Sequence, residues 1–244
     1  MAGHSHWAKI KRAKSANDAK RGKIWSKIAR KIIIAAKAGG GDPAANLQLR
    51  YTIEEAKAAN MPRDTIEKAI KKGTGELGAE NYEAATYEAY APGGVALLIE
   101  ALTNNRNRTA PDLRAILERG GGNLAQNGAV AFQFTKCGVI TIKTDVIDED
   151  SLMEKALEFG ADDVKNEGEV FEVITQPTAF HRVKDSLAGC GIPIEAAEIT
   201  YLPNTTIPLD PERTQSLLKL IDALEDNDDV QSVSHNAELA ELNP

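Results

Sequence analysis

Cys137 and Cys190 are the only two cysteines in the 244-residue chain, far apart and in no CxxC spacing. That excludes a disulfide framework and a thiolate zinc site. Histidine is also sparse: His4, His6, His181 and His235 are the whole complement, and none sits in a motif with a Ser or Cys nucleophile and an acid partner. The glycine triplets Gly39-Gly40-Gly41 and Gly120-Gly121-Gly122 lack the Lys-Ser/Thr of a phosphate-binding loop and the strand-to-helix setting of a dinucleotide fingerprint. The expectation is therefore no enzyme, no cofactor and no metal site. The carboxylate runs at 148–150, 162–163 and 226–229 are assigned to helix capping and solvation. No apolar run approaches the roughly 20 residues that a membrane span needs. The longest, Ile32-Ile33-Ile34-Ala35-Ala36, stops at Lys37, and the leading residues lack the apolar core of a secretory signal, so a cytoplasmic protein is expected.

What the chain has is segregated charge. Residues 1–72 hold 17 Lys and Arg against 6 Asp and Glu, a net of +11, while the remainder holds 12 against 30, a net of −18. Such a split points to a polyanion-binding arm on an acidic body.

Hydrophobic period divides the basic part into helices. Over residues 20–38, Ile24, Trp25, Ile28, Ile32, Ala35 and Ala36 recur at helical spacing. Lys20, Lys23, Lys27, Arg30, Lys31 and Lys37 then fall on the opposite face as a cationic stripe. The Gly39 triplet ends that helix, Asp42-Pro43 supplies a cap and first turn for a second running to about Asn60, and Pro62 opens a third that Lys71-Lys72-Gly73 closes. After residue 78 the period changes. Residues 86–91 and 95–103 form a hairpin around Pro92-Gly93-Gly94, with Leu97-Leu98-Ile99 buried on both faces. A helix starting at Thr109-Ala110-Pro111-Asp112 and a strand at 130–134 follow. Residues 139–202 contain a complete β-α-β-β-α-β series, the split βαβ pattern. A helix at 211–224 and a strand at 230–234 complete the preceding unit.

The chain is therefore expected to be α+β, with an N-terminal three-helix domain plus two α+β domains, the last ferredoxin-like and inserted in the middle one. The boundaries are 1–78 for the basic helical domain, 79–135 plus 204–244 for the middle domain, and 136–203 for the insert. No apolar stripe is left uncommitted, so a monomer is expected.

Five ordered motifs carry a family resemblance over almost the full chain: Gly3-His4-Ser5-His6-Trp7 with Ile10-Lys11; Asp18-Ala19-Lys20-Arg21-Gly22-Lys23; Gly39-Gly40-Gly41-Asp42-Pro43; Asn60-Met61-Pro62 with Ile70-Lys71-Lys72-Gly73; and Asn105-Arg106-Asn107-Arg108-Thr109. With these the sequence closely resembles the YebC/PmpR family. The resemblance implies the same three-domain shape and a cytosolic, probable DNA-binding transcriptional regulator. It also implies an alternative, since mitochondrial relatives are described as translational activators and bacterial members have been linked to ribosomes stalled on proline-rich stretches. The sequence departs from the family pattern at His6, Trp25 and Lys31, where Lys, Phe and Glu are common.

The candidate nucleic-acid contacts are His4, His6, Trp7, Lys9, Lys11, Arg12, Lys14, Lys20, Arg21, Lys23, Lys27, Arg30 and Lys31, with a second basic spot at Arg106 and Arg108 on the loop after the buried strand. The cations can neutralise phosphates and release counterions, and Trp7 can stack on an exposed base. The expected partner is nucleic acid, either DNA or ribosomal or transfer RNA, with the ribosome as a further expected partner on the RNA alternative. This reading requires the leading cations to stand together, wet and unpaired, at one extremity.

Overall fold

The computed structural model describes residues 21–78 and 81–240. Its first helix, α1 (Arg21–Gly39), is joined by α2 (Leu47–Ala58) and α3 (Arg63–Thr74). Ile28, Ile32, Ile33 and Ala36 of α1 meet Leu49 and Ala56 of α2 and Ile66 and Ala69 of α3 in one apolar cluster. Trp25 packs against that cluster and donates its indole N–H to the Ala59 carbonyl at 3.0 Å, tying α1 to the end of α2.

The caps differ from those expected. Asn46, not Asp42, caps α2: its Oδ1 accepts from the Leu49 N–H at 3.1 Å, while its Nδ2 donates to the carbonyls of Ala35 and Gly40, both at 2.8 Å. One buried amide thus closes α1 and opens α2. At the far end of α2, Asn60 takes a left-handed φ of 54° and Met61 N–H returns to the Ala56 carbonyl at 2.9 Å, the Schellman arrangement. Gly73 does not end α3 but lies within it, where a Cβ would stand 2.6 Å from the Ile33 carbonyl of α1. It is the small residue that lets the two helices touch.

The middle unit is a sheet with strand order β3-β1-β2-β9, where β1 is Glu83–Ala91, β2 is Val95–Thr103, β3 is Asn123–Leu124 and β9 is Val230–His235. The β1–β2 hairpin pairs Ala91 with Val95 around the expected turn. Two helices, α4 (Arg106–Arg119) and α7 (Pro211–Glu225), cover one face, where Leu113, Leu117, Leu217, Leu220 and Leu224 close on Leu97, Ile99 and Val233. The reverse face of β2 presents Ala96 and Leu98 to Val130 and Phe134, with Tyr201 packed alongside. The expected burial of 97–99 on both faces is observed. A short parallel pairing of β8 (Ile207–Pro208) with β10 (Ala237–Glu238) was not legible in the sequence.

The third unit is β4 (Phe134–Lys143), α5 (Glu149–Phe159), β5 (Asp163–Asn166), β6 (Val170–Thr175), α6 (Phe180–Gly189) and β7 (Ala196–Pro203). Its sheet has order β5-β6-β4-β7 with every pair antiparallel, the ferredoxin-like arrangement. Residues 131–133 form a single 3₁₀ turn, so the expected strand at 130–134 begins only at Phe134. The fold is α+β, with the ferredoxin-like unit lying in sequence between the strands of the middle sheet.

Candidate nucleic-acid interface

The leading candidates His4, His6, Trp7, Lys9, Lys11, Arg12, Lys14 and Lys20 lie outside the described residues, and of Arg21 only the backbone is described. The structure gives the cations of α1 a definite place, and it is not the open stripe expected. Lys23, Lys27 and Arg30 occupy positions i, i+4 and i+7, one row on the helix surface. All three meet the C-terminal end of α7 and the turn behind it. Lys23 Nζ stands 3.2 Å from the Asp226 carboxylate and 3.4 Å from its carbonyl. Lys27 Nζ donates to the Glu225 carbonyl at 2.8 Å. Arg30 Nη1 lies 3.5 Å from Asp229 Oδ1, and its guanidinium sits over the Tyr82 ring at 5.4 Å.

The physical reason is helix polarity. The last turn of α7 carries no basic residue of its own, yet its terminal carbonyls concentrate negative potential. The α1 lysines supply the missing cations from another domain. The remaining α1 candidate, Lys31, also has a partner, Glu55 of α2 at 2.7 Å, and Lys37 donates to Asn81 Oδ1 at 2.9 Å. The expectation of an unpaired stripe is corrected for Lys23, Lys27, Arg30 and Lys31, although Lys23 and Lys31 stay nearly half exposed.

The second basic spot is corrected in the same sense. Residues 106–109 are not a loop but the first turn of α4, capped by Asn105, whose Oδ1 accepts from the Arg108 N–H at 3.2 Å. Arg106 Nε donates to Glu83 Oε1 at 2.6 Å and its Nη2 to the Ala84 carbonyl at 3.0 Å, so it clips α4 to β1. Arg108 Nη2 donates to Asp229 Oδ2 at 2.8 Å. Thr109, expected to cap the helix, is buried inside its first turn and donates to the same oxygen at 2.7 Å.

Asp229 is therefore a hub that the sequence reading missed. It is 3% exposed, and its Oδ2 also faces the Thr103 hydroxyl at 3.2 Å. Its backbone carbonyl accepts from Leu102 N–H at 2.8 Å, fixing the start of β9 against β2. Burial opposes ionisation of this carboxyl, but hydrogen bonds from Arg108 and Thr109 and the charges of Arg108 and Arg30 outweigh it and hold the group below the usual carboxylate range. Asp229 Oδ1 and Arg30 Nη1 attract across 3.5 Å without making a hydrogen bond. The only local signal was the run of carboxylates at 226–229 directly before an apolar strand.

A second buried carboxylate, Glu88 of β1, was also missed. It accepts from the N–H groups of Gly128, Val130 and Ala131 at 2.6, 2.6 and 2.8 Å. Burial resists its charge, and these backbone donors prevail, lowering its titration point. The nest is filled by the protein's own side chain and shapes the turn before β4.

The helical unit touches the third unit as well. Tyr51 of α2 stacks on His181 of α6 with ring centroids 3.5 Å apart and planes 3° off parallel, and its hydroxyl donates to Asp185 Oδ2 at 2.8 Å. Arg50 and Lys184 lie over the same tyrosine ring at 5.3 and 5.7 Å. Among the described residues no three His, Cys, Asp or Glu side chains converge to hold a metal ion, and no helix is long and apolar enough to cross a membrane.

Similar proteins share this chain from end to end. Residues 5–76 match the family model described as the TACO1/YebC protein N-terminal domain, and residues 82–237 match the TACO1/YebC second and third domain. A probable transcriptional regulatory protein of Treponema denticola is 52% identical over 241 residues, which is 99% of this chain and 98% of that protein. One of the same name from Geobacter sulfurreducens is 50% identical over 98% of this chain and 97% of its own length. The crystal structure of a conserved hypothetical protein of Aquifex aeolicus superposes with a TM-score of 0.86 at 47% identity, over 98% of both chains. The chain belongs to the TACO1/YebC family, and the Treponema denticola and Geobacter sulfurreducens relatives carry a regulatory designation.

Proposed function

We propose that the chain is a nucleic-acid-binding regulatory protein, a DNA-binding transcriptional regulator that works as a cytoplasmic monomer without a cofactor. The observation that carries this reading is the segregation of charge, +11 over residues 1–72 against −18 over the remainder. Lys9, Lys11, Arg12, Lys14 and Lys20 precede α1 together with His4, His6 and Trp7. On this reading these cations neutralise phosphates while the indole stacks on a base or packs on the sugar edge. Because Lys23 and Arg30 already face carboxylates of the chain and Lys27 one of its carbonyls, the leading segment makes the first contact. The shared designation of the relatives supports a regulatory role for it.

A second reading, a translation factor that contacts ribosomal or transfer RNA, is favoured by one observation. Arg106 and Arg108, whose guanidiniums suit base edges best, are held by Glu83 and Asp229. Recognition by the lysine-rich remainder follows charge rather than sequence. Fluorescence anisotropy against a promoter duplex and unrelated duplexes at rising salt, with ribosome cosedimentation, separates the two. Preference for one duplex that survives moderate salt supports the transcriptional reading, and equal affinity for all duplexes with ribosome association replaces it by the translational one. Substituting Lys9, Lys11 and Arg12 by Ala should flatten the salt slope on duplex DNA by about 2.7, at roughly 0.9 per lost contact. Unchanged binding by that triple variant refutes the leading-segment reading.

A further inference from the structure

The row Lys23, Lys27, Arg30 sets three cations along one helix face, and it is closed by an acidic stretch that the chain itself supplies. The acidic turn, Glu-Asp-Asn-Asp-Asp at 225–229, begins at the last residue of α7. It offers the α1 row one carboxylate, one carbonyl and a second carboxylate in succession, with Asp226, Glu225 and Asp229 opposite Lys23, Lys27 and Arg30. We infer that this acidic turn is an intramolecular mask, and that nucleic acid engages the α1 row by displacing it, which couples binding to release of the helical domain from the middle domain. The inference rests on the nucleic-acid reading and names how its site is regulated.

Three observations make the contact displaceable. Its facing groups are polar, Lys23, Lys27 and Arg30 against Asp226, Glu225 and Asp229, with Tyr82 of the middle unit packed on the helical cluster beside them. It is wet at one end, where the Lys23 and Asp226 side chains are 47% and 45% exposed, a setting in which ion pairs are weak and salt-screened. At its buried end the Arg30–Asp229 attraction lacks a hydrogen bond, and Asp229 keeps Arg108, Thr109 and Thr103 when Arg30 departs. Release leaves no carboxylate stranded in the middle domain. A phosphate chain then restores to each α1 cation the negative partner that it has lost, so the exchange is balanced in charge.

The test uses the full chain and a fluorescent 20-base-pair duplex, with Asp226→Asn as the unmasking variant. Asp226 is exposed and separate from the Asp229 hub, so the variant should keep the wild-type thermal midpoint. Masking predicts that Asp226→Asn tightens duplex binding by about two- to fivefold, the worth of one exposed ion pair. It also predicts that Lys23→Ala with Lys27→Ala weakens binding in the wild type and abolishes the gain from Asp226→Asn. Small-angle scattering should show an increase in radius of gyration when the duplex saturates the protein. Duplex binding that is indifferent to Asp226→Asn and to the lysine pair, at constant radius, overturns the mask while leaving the leading-segment reading intact. Absence of binding by every variant at low salt overturns both.

Discussion

Replacing Asp229 by Asn tests whether one buried carboxylate organises the join between α4, β2, β9 and α1. The amide keeps an acceptor for Thr109 and Thr103, so those two hydrogen bonds are largely retained. It loses the charge that Arg108 and Arg30 face. Arg108 is half exposed, and water screens its loss to under about 1 kcal/mol. The Arg30 side chain is only 11% exposed and would be left in a buried position without its counter-charge. No hydrogen bond is lost there, but leaving that buried cation uncompensated costs about 1–3 kcal/mol. Together these give about 2–3 kcal/mol for Asp229→Asn, and about 3–5 kcal/mol for Asp229→Ala, which also strands the two hydroxyls. Whole-chain denaturation is a poor assay for a protein of several units, because it is not two-state. Hydrogen exchange resolved to β2 and β9 is better, and a local loss of that size accelerates exchange about 30- to 150-fold. Exchange within twofold of the wild type would refute the hub. The pH dependence has a fixed sign: with the folded carboxyl held below 3.8, the unfolded chain binds the proton more readily. The contribution is therefore complete above about pH 4 and disappears as pH falls through the lowered value.

Three other changes have defined outcomes. Gly73→Ala forces a methyl group towards the Ile33 carbonyl and should destabilise the helical unit by about 1–3 kcal/mol, read from the urea transition followed by Trp25 fluorescence in a chain whose Trp7 is replaced by Phe; an unchanged midpoint would show that α1 and α3 can part freely. The His181 imidazole, disfavoured as a cation by burial and by Lys184 and Arg50 against the opposing Asp185 and Glu54, should titrate below 6.5 by NMR. Because the unfolded chain protonates first, the Tyr51–His181 contact weakens as pH falls below 6.5, and His181→Phe should keep the stack while removing that dependence. Exposed Cys190 should react with a thiol reagent in the native protein, whereas Cys137, buried and with its thiol pushed up by that burial, should react only on unfolding; equal rates would contradict the packing of β4.

Local pattern carried most of the architecture. Helix α5 is the first helix of the expected series over 139–202 and α7 starts at the expected Pro211, because each opens with an aspartate cap, Asp148 and Asp210, ahead of a periodic apolar face. The β-α-β-β-α-β order sufficed for the second sheet, since that order admits few antiparallel closures. Helix α4 was placed one turn late: Thr109 and Pro111 together imitate a cap and first-turn proline, while the operating cap is Asn105 and Pro111 lies inside the helix. Strands β3, β8 and β10 have two residues each, too few for any period to register. The interface was the least legible part. Counting charge along the chain located a basic domain, but the partners of Lys23 and Lys27 stand 203 and 198 residues away. Pairing across such a separation is a property of the folded surface and leaves no mark in sequence spacing.

Those long-range pairs also change what a salt titration of binding means. A cation that is solvated before it meets DNA contributes its full share, about 0.9, to the slope of log affinity against log salt on a duplex. A cation that must first leave a carboxylate contributes less, because salt weakens the internal pair as it weakens the new one. If the mask operates, Lys23 and Lys27 act in this second way, while cations without an internal partner act in the first. The wild-type slope should then fall short of the number of cations that alanine substitution shows to be in contact, and Asp226→Asn should steepen it. A slope equal to the full contact count in the wild type would mean that the α1 row was never occupied by the turn in solution.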